Sequence, residues 1–201
     1  MKRALEPYRP ILEKLLAHAG STEGLKRMRL LELGPGRRIH CLRYLMEEVG
    51  VEHVDAAGRV KLWPWTRNTA FLRAHVEETY LLDYLRALPS AGLDAAYSRH
   101  VMERHSIDPW ILLSSRRYWG QFKGNRFSDL KEDYPSSLKN VEAVFRETYR
   151  VLKPGGLIVS LIAKRKNSGL SRPFLEGFQP AWIEEERLGA RSSLVTVKKR
   201  G

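Results

Sequence analysis

A single cysteine, Cys41, is all the thiol this 201-residue chain carries. An intramolecular disulfide is therefore excluded, which fits a reducing compartment, expected to be the cytoplasm. Long apolar runs are missing as well. The longest, Leu157 to Ala163, is interrupted by Ser160 and falls far short of the ~20 residues a membrane helix needs. Residues Met1 to Pro7 include Lys2 and Arg3 but no apolar stretch behind them, which does not read as a secretory signal. Internal repeats, low-complexity tracts and linkers are absent. So are a Gly-Lys-Ser/Thr phosphate loop, a Gly-x-Ser-x-Gly nucleophile turn and a Cys-His nucleophile pattern. The six histidines are scattered. His100 and His105 do not share a helical face, so no metal site is expected.

What is present is an ordinary globular composition, 43% hydrophobic and 29% charged, at a length that suits one domain with a sizeable core. The charge is not ordinary. Thirty-five basic against 23 acidic residues give a formal +12. Such a balance reads either as a preference for an anionic partner such as nucleic acid, or as a solvated basic surface. The basic residues are spread along the chain. Their densest cluster, Lys164-Arg165-Lys166, comes with no nucleic-acid-binding signature.

The apolar periodicity alternates between strand and helix. A short amphipathic helix is predicted between Pro10 and Gly20, within an N-terminal helical extension over residues 1–28. Strands are predicted at Arg29–Leu33, Val51–Ala57, Ala74–Thr79, Gly92–Ser98 and Leu157–Ala163, with helices at Ile39–Val49, Leu81–Leu88 and Leu138–Leu152. Two further strands, Ala181–Glu185 and Ser193–Lys199, are separated only by a short turn and are expected to pair as an antiparallel hairpin at the sheet edge. This β-α alternation implies an α/β protein with a mostly parallel sheet covered on both faces. Residues 59–73 and 110–135 lack periodicity, and long irregular loops are often functional.

Three motifs carry chemistry. Leu30-Leu31-Glu32-Leu33-Gly34-Pro35-Gly36 is an apolar strand ending in a glycine turn that feeds a helix. Glycine lets backbone approach a ligand closely, and the helix start offers free amide donors. A dinucleotide-binding Gly-x-Gly-x-x-Gly fails here, because the third glycine position holds Ile39. The second motif is Leu93-Asp94-Ala95-Ala96-Tyr97-Ser98, followed by Arg99-His100-Val101-Met102-Glu103-Arg104-His105. The third is Glu147 to Gly156, in which Arg150-Val151-Leu152-Lys153-Pro154-Gly155-Gly156 ends a helix and launches a strand.

Together these motifs resemble the class I S-adenosylmethionine-dependent methyltransferases, of the methyltransferase type 11 kind, from about Arg29 to residue 201. The chain departs from that pattern at Arg38, where a small residue is common, and at Arg104, which displaces the histidine of a Glu-His pair by one. The resemblance implies a Rossmann-like, doubly wound, seven-stranded sheet with an antiparallel last strand over residues 29–201, and S-adenosyl-L-methionine as cofactor. It assigns Glu32, Gly34 and Gly36 to the methionine part of the cofactor. Asp55 is the ribose acid or a surface carboxylate. Glu78 and Asp83 are alternatives for the adenine amino group. At the tip of the fourth strand Ser98 faces the cofactor and Arg99 the acceptor, and His100 is the base candidate or a core-edge histidine. Residues 110–135 form an acceptor-site insertion in which Trp110, Tyr118 and Trp119 line the pocket or simply pack the loop.

The implied activity is methyl transfer to a small-molecule acceptor, because Ser98-Arg99-His100-Val101 stands where amino-group methylation of bases would place an Asn/Asp-Pro-Pro-Tyr/Phe motif. The alternative is a catalytically degenerate protein of the same fold that binds nucleic acid or a protein partner through its basic surface.

Overall fold

The computed structural model describes residues 2–35, 39–58, 76–77, 81–101, 137–163, 170–190 and 192–201. The chain opens with α1 (Lys2–Leu5), a 3-10 turn (Glu6–Tyr8), α2 (Arg9–Ala19) and α3 (Thr22–Lys26). The first strand, β1 (Arg29–Leu33), leads to α4 (His40–Arg43), which continues as a π-helical segment over Tyr44–Val49. Then come β2 (His53–Ala57), β3 (Val76–Glu77), α5 (Leu81–Ala87) and β4 (Leu93–Arg99). The chain closes with α6 (Ser137–Val151), β5 (Leu152–Ala163), α7 (Arg172–Glu176), β6 (Trp182–Arg187) and β7 (Ser192–Lys198).

The strands form one seven-stranded sheet in the order β3-β2-β1-β4-β5-β7-β6. Strands β1 to β5 pair in parallel, whereas β7 is antiparallel to both β5 and β6. The expected hairpin is present, with its last strand inserted beside β5 so that β6 becomes the sheet edge. The fifth strand starts earlier than its apolar run suggests: Leu152 pairs with Leu93 before a register shift, and regular pairing resumes at Leu157.

Burial on both faces explains the unbroken apolar strands. Leu30 of β1 joins Ile11, Leu15, Leu42, Val54, Tyr97 and Val159 under the N-terminal helices and α4. Leu31 and Leu33 join Leu85, Phe145, Ile158 and Val195 on the opposite face. The N-terminal segment therefore shares the sheet's core, since Ile11 and Leu15 of α2 are fully buried in it. On α6, the buried residues Val141, Val144, Phe145 and Thr148 recur at helical spacing.

The Glu147–Gly156 run works as a clamp. Arg150 donates to the carbonyls of Leu85 and Leu88 at 2.7 and 3.1 Å and to Ser90 Oγ at 2.9 Å, tying α6 to the end of α5. Lys153 binds Asp94 Oδ1 at 2.7 Å while Asp94 Oδ2 accepts from the Arg29 amide at 2.8 Å, so β1, β4 and β5 are joined at their starts. Lys199 donates to the carbonyls of Tyr149 and Leu152 at 3.0 and 2.7 Å, capping the C-terminus of α6. These contacts all lie at the starts of the parallel strands, away from their C-terminal ends.

Candidate functional site

The exits of β1, β2 and β4 meet at the C-terminal edge of the sheet. Gly34 leaves β1 with φ +66, and its amide donates to Ala57 O at 2.7 Å. Gly58 leaves β2 with its amide on Glu77 O at 3.2 Å. A methyl group on Gly34 would run into Cγ2 of Val101, and one on Gly58 would lie 3.0 Å from the Gly34 Cα. Left-handed φ and close approach both demand the absence of a side chain at Gly34. Val101 and Gly58 complete this contact, which the sequence does not announce, because the three residues lie far apart along the chain.

Beneath this turn Glu32 is 2% exposed. It accepts a hydrogen bond from the Tyr97 hydroxyl at 3.3 Å and another from the Leu42 amide. Burial outweighs both bonds and raises its carboxyl to about 8, so it is neutral at pH 7. The surrounding groups are neutral too. The Cys41 thiol is hydrogen-bonded with Tyr97, and burial pushes Cys41, Tyr97 and Tyr8 all upward. Tyr8 comes from the N-terminal segment, and nothing local in the sequence signals that it lies close enough to feel the charge of this carboxyl.

Residues Ser98, Arg99 and His100 diverge at the end of β4. Ser98 is fully buried and its hydroxyl donates to Ser160 Oγ at 3.0 Å, so this candidate lies within the sheet with its hydroxyl committed to β5. Arg99 is exposed, and its guanidinium stacks over the Tyr8 ring at 5.4 Å from the centroid. His100 is half-buried in a left-handed conformation with φ 59, and its amide donates to Leu161 O at 2.7 Å. A non-glycine residue held there stores strain, a feature that clusters at functional sites.

The acidic candidates do not all reach the strand ends. Asp55 lies within β2 opposite Leu31, half-buried, and its charge is felt by Tyr84 of α5. The strand continues past it through Ala56 and Ala57, and the exit position is Gly58. Asp83 is exposed on the first turn of α5. Gly36, Glu78, Trp110, Tyr118 and Trp119 lie outside the described residues, as does the whole 110–135 segment. Among the described residues no group of three His, Cys, Asp or Glu could hold a metal ion, and no helix is long and apolar enough to cross a membrane.

The arrangement provides a glycine turn and an imidazole at the C-terminal ends of the parallel strands, where open α/β sheets bind their ligands, with a buried carboxyl in β1 beneath them. Neither a family model nor a curated protein sequence matches the chain. Solved structures do. A 1,6-didemethyltoxoflavin-N1-methyltransferase from Burkholderia thailandensis, determined with S-adenosylhomocysteine, superposes with a TM-score of 0.58 at 15% identity, over 98% of this chain and 79% of that one. A SAM-dependent methyltransferase from Archaeoglobus fulgidus gives 0.55 at 13% identity, over 94% and 99% of the two chains. Another from Aquifex aeolicus gives 0.54 at 17%, over 96% and 89%. At these identities the similarity is one of fold: the chain has the class I methyltransferase fold.

Proposed function

We propose that this chain is an S-adenosylmethionine-dependent methyltransferase acting on a small molecule. The observation that carries this reading is the meeting of the β1, β2 and β4 exits around Gly34, where a side chain would collide with Val101. The residues present fit the cofactor in their chemistry. Glu32 is a buried carboxyl with no cation paired to it among the described residues, suited to a ligand that carries an ammonium group. Gly34 turns the chain at φ +66 without a side chain of its own, as close passage of backbone at this exit requires.

When bound, the cofactor would supply a sulfonium methyl group for an oxygen, nitrogen or carbon nucleophile, with S-adenosylhomocysteine as product. The chain's own part is to hold and to exchange protons. Glu32 and Gly34, with Gly36, would hold the methionine portion, and Glu78 or Asp83 the nucleoside. His100, half-buried at the β4 exit, would take the proton from the acceptor nucleophile, as an imidazole can near neutral pH. Orientation of the acceptor in line with the methyl group contributes the rest. Trp110, Tyr118 and Trp119 would line the acceptor pocket.

Calorimetric titration with S-adenosylmethionine and S-adenosylhomocysteine, beside a Gly34→Arg variant, tests this reading. Micromolar binding to the wild type that is lost in the variant is the expected result. Absence of binding to a wild type that melts cooperatively would reject it. The degenerate-protein alternative would then lead, and it predicts steeply salt-dependent nucleic-acid binding.

A further inference from the structure

We infer that Arg99 is the binding residue for an anionic methyl acceptor, a small molecule bearing a carboxylate or phosphate group, and that Tyr8 is the positioning residue that holds it. This inference rests on the methyltransferase reading and names the class of its substrate. Arg99 is the last residue of β4, next to the strained His100, at the strand edge where acceptor and cofactor would meet. Its side chain is exposed, yet it is not left to wander. The guanidinium lies over the Tyr8 ring and hydrogen-bonds the Tyr8 hydroxyl.

The manner of holding matters. Arg9, Arg43, Arg150 and Arg172 each pair with a glutamate three or four residues away. Those charges are compensated. Arg99 is held by a neutral aromatic ring, and among the described residues no carboxylate forms an ion pair with it. An aromatic platform fixes the plane of a guanidinium without neutralising it. Among the described residues its N–H donors meet no carboxylate, so they can grip an oxyanion in the bidentate manner.

Tyr8 can serve as that platform because it is itself immobilised. It is 7% exposed at the end of the 3-10 turn, packed in the core shared with Ile11 and Leu15 of α2. Burial keeps its hydroxyl protonated, so the pair stays cationic overall across the physiological range. The N-terminal segment thus contributes a side chain to the site although it precedes the first strand.

The test is ligand-observed NMR on the full chain, with and without S-adenosylhomocysteine, using anionic probes beside neutral relatives: benzoate against benzamide, and phenyl phosphate against phenol. One of the two anions is expected to bind and its neutral counterpart not, and which anion binds identifies the source of the charge. Arg99→Gln should weaken that binding at least tenfold. Arg200→Gln, which removes the same charge beyond the opposite end of the sheet, should leave it unchanged. Tyr8→Leu should weaken it and Tyr8→Phe, which keeps the ring, should restore it; a purely structural Tyr8 would not show this ring-specific rescue in anion affinity. Equal binding of neutral and anionic probes, no anion binding at all, or full binding in Arg99→Gln would each overturn the inference. Calorimetry with S-adenosylhomocysteine separates the two failures. Loss of cofactor binding alone sinks the methyltransferase reading, and loss of anion selectivity alone sinks the role of Arg99.

Discussion

Replacing Gly34 with alanine perturbs two things at once, and a double-mutant cycle can separate them. The first is the backbone, held at φ +66, where a β-carbon costs about 1–2 kcal/mol. The second is the overlap of the new methyl with Cγ2 of Val101, and relieving such overpacking costs about 1–3 kcal/mol. Their sum places Gly34→Ala about 2–5 kcal/mol below the wild type. Val101→Ala alone removes half-buried methyl groups and should cost about 1 kcal/mol. In the double variant the overlap is gone while the backbone strain remains. The two losses should therefore fall short of additivity by about 1–3 kcal/mol. Urea unfolding of all four proteins, with the m-values checked for constancy, measures that coupling. Strict additivity would refute the reasoning, because Val101 could not then be resting on the glycine.

Two further outcomes follow from the buried and the bridging carboxylates. For Glu32 the folded value, about 8, lies above the ordinary carboxyl range, so the folded state holds a proton that the unfolded chain releases. Unliganded stability should fall as pH rises from about 4.5 to about 8 and level off beyond. Glu32→Gln should flatten that slope and be the more stable protein at pH 8; an unchanged slope in thermal melts would show that the carboxyl is already ionised in the fold. Asp94→Ala loses both the bridge to Lys153 and the bond from the Arg29 amide. It should cost about 1–2 kcal/mol, against about 0.5 kcal/mol for Lys153→Met, which removes only a partly exposed ion pair. Equal losses in chemical denaturation would mean that the amide bond contributes nothing.

Much of the fold was legible because its signals are local. An apolar run followed by Gly34-Pro35-Gly36 specifies a strand and its turn within a few residues, and Leu152-Lys153-Pro154-Gly155-Gly156 specifies a helix end as economically. The starts and ends of elements were less legible where pairing decides them. Leu152 is drawn into β5 by Leu93, and β7 takes its place between β5 and β6 through contacts that no local pattern announces. The site divides in the same way. Gly34 and Glu32 are recognisable from their own neighbourhood. The pairing of Arg99 with Tyr8, of Ser98 with Ser160 and of Gly34 with Val101 depends on side chains brought together from distant segments. Asp55 was legible too, since the strand predicted to run to Ala57 already places this carboxylate before its end, and the pairing of Ala56 and Ala57 carries the strand past it.

The insertion of β7 between β5 and β6 also orders the birth of the molecule. A chain made from its N-terminus produces β6 before the strand that alone pairs with it, and leaves the outer edge of β5 unpaired until β7 emerges. During that interval the apolar run from Leu157 onward is an open template for wrong partners. The waiting strand β6 is protected by its own composition, because Glu184, Glu185 and Glu186 discourage pairing with a second copy of itself. Closure of the sheet is thus a late event in synthesis. Truncation between Arg187 and Ser192 would leave the protein with an open β5 edge and no β7 to close it.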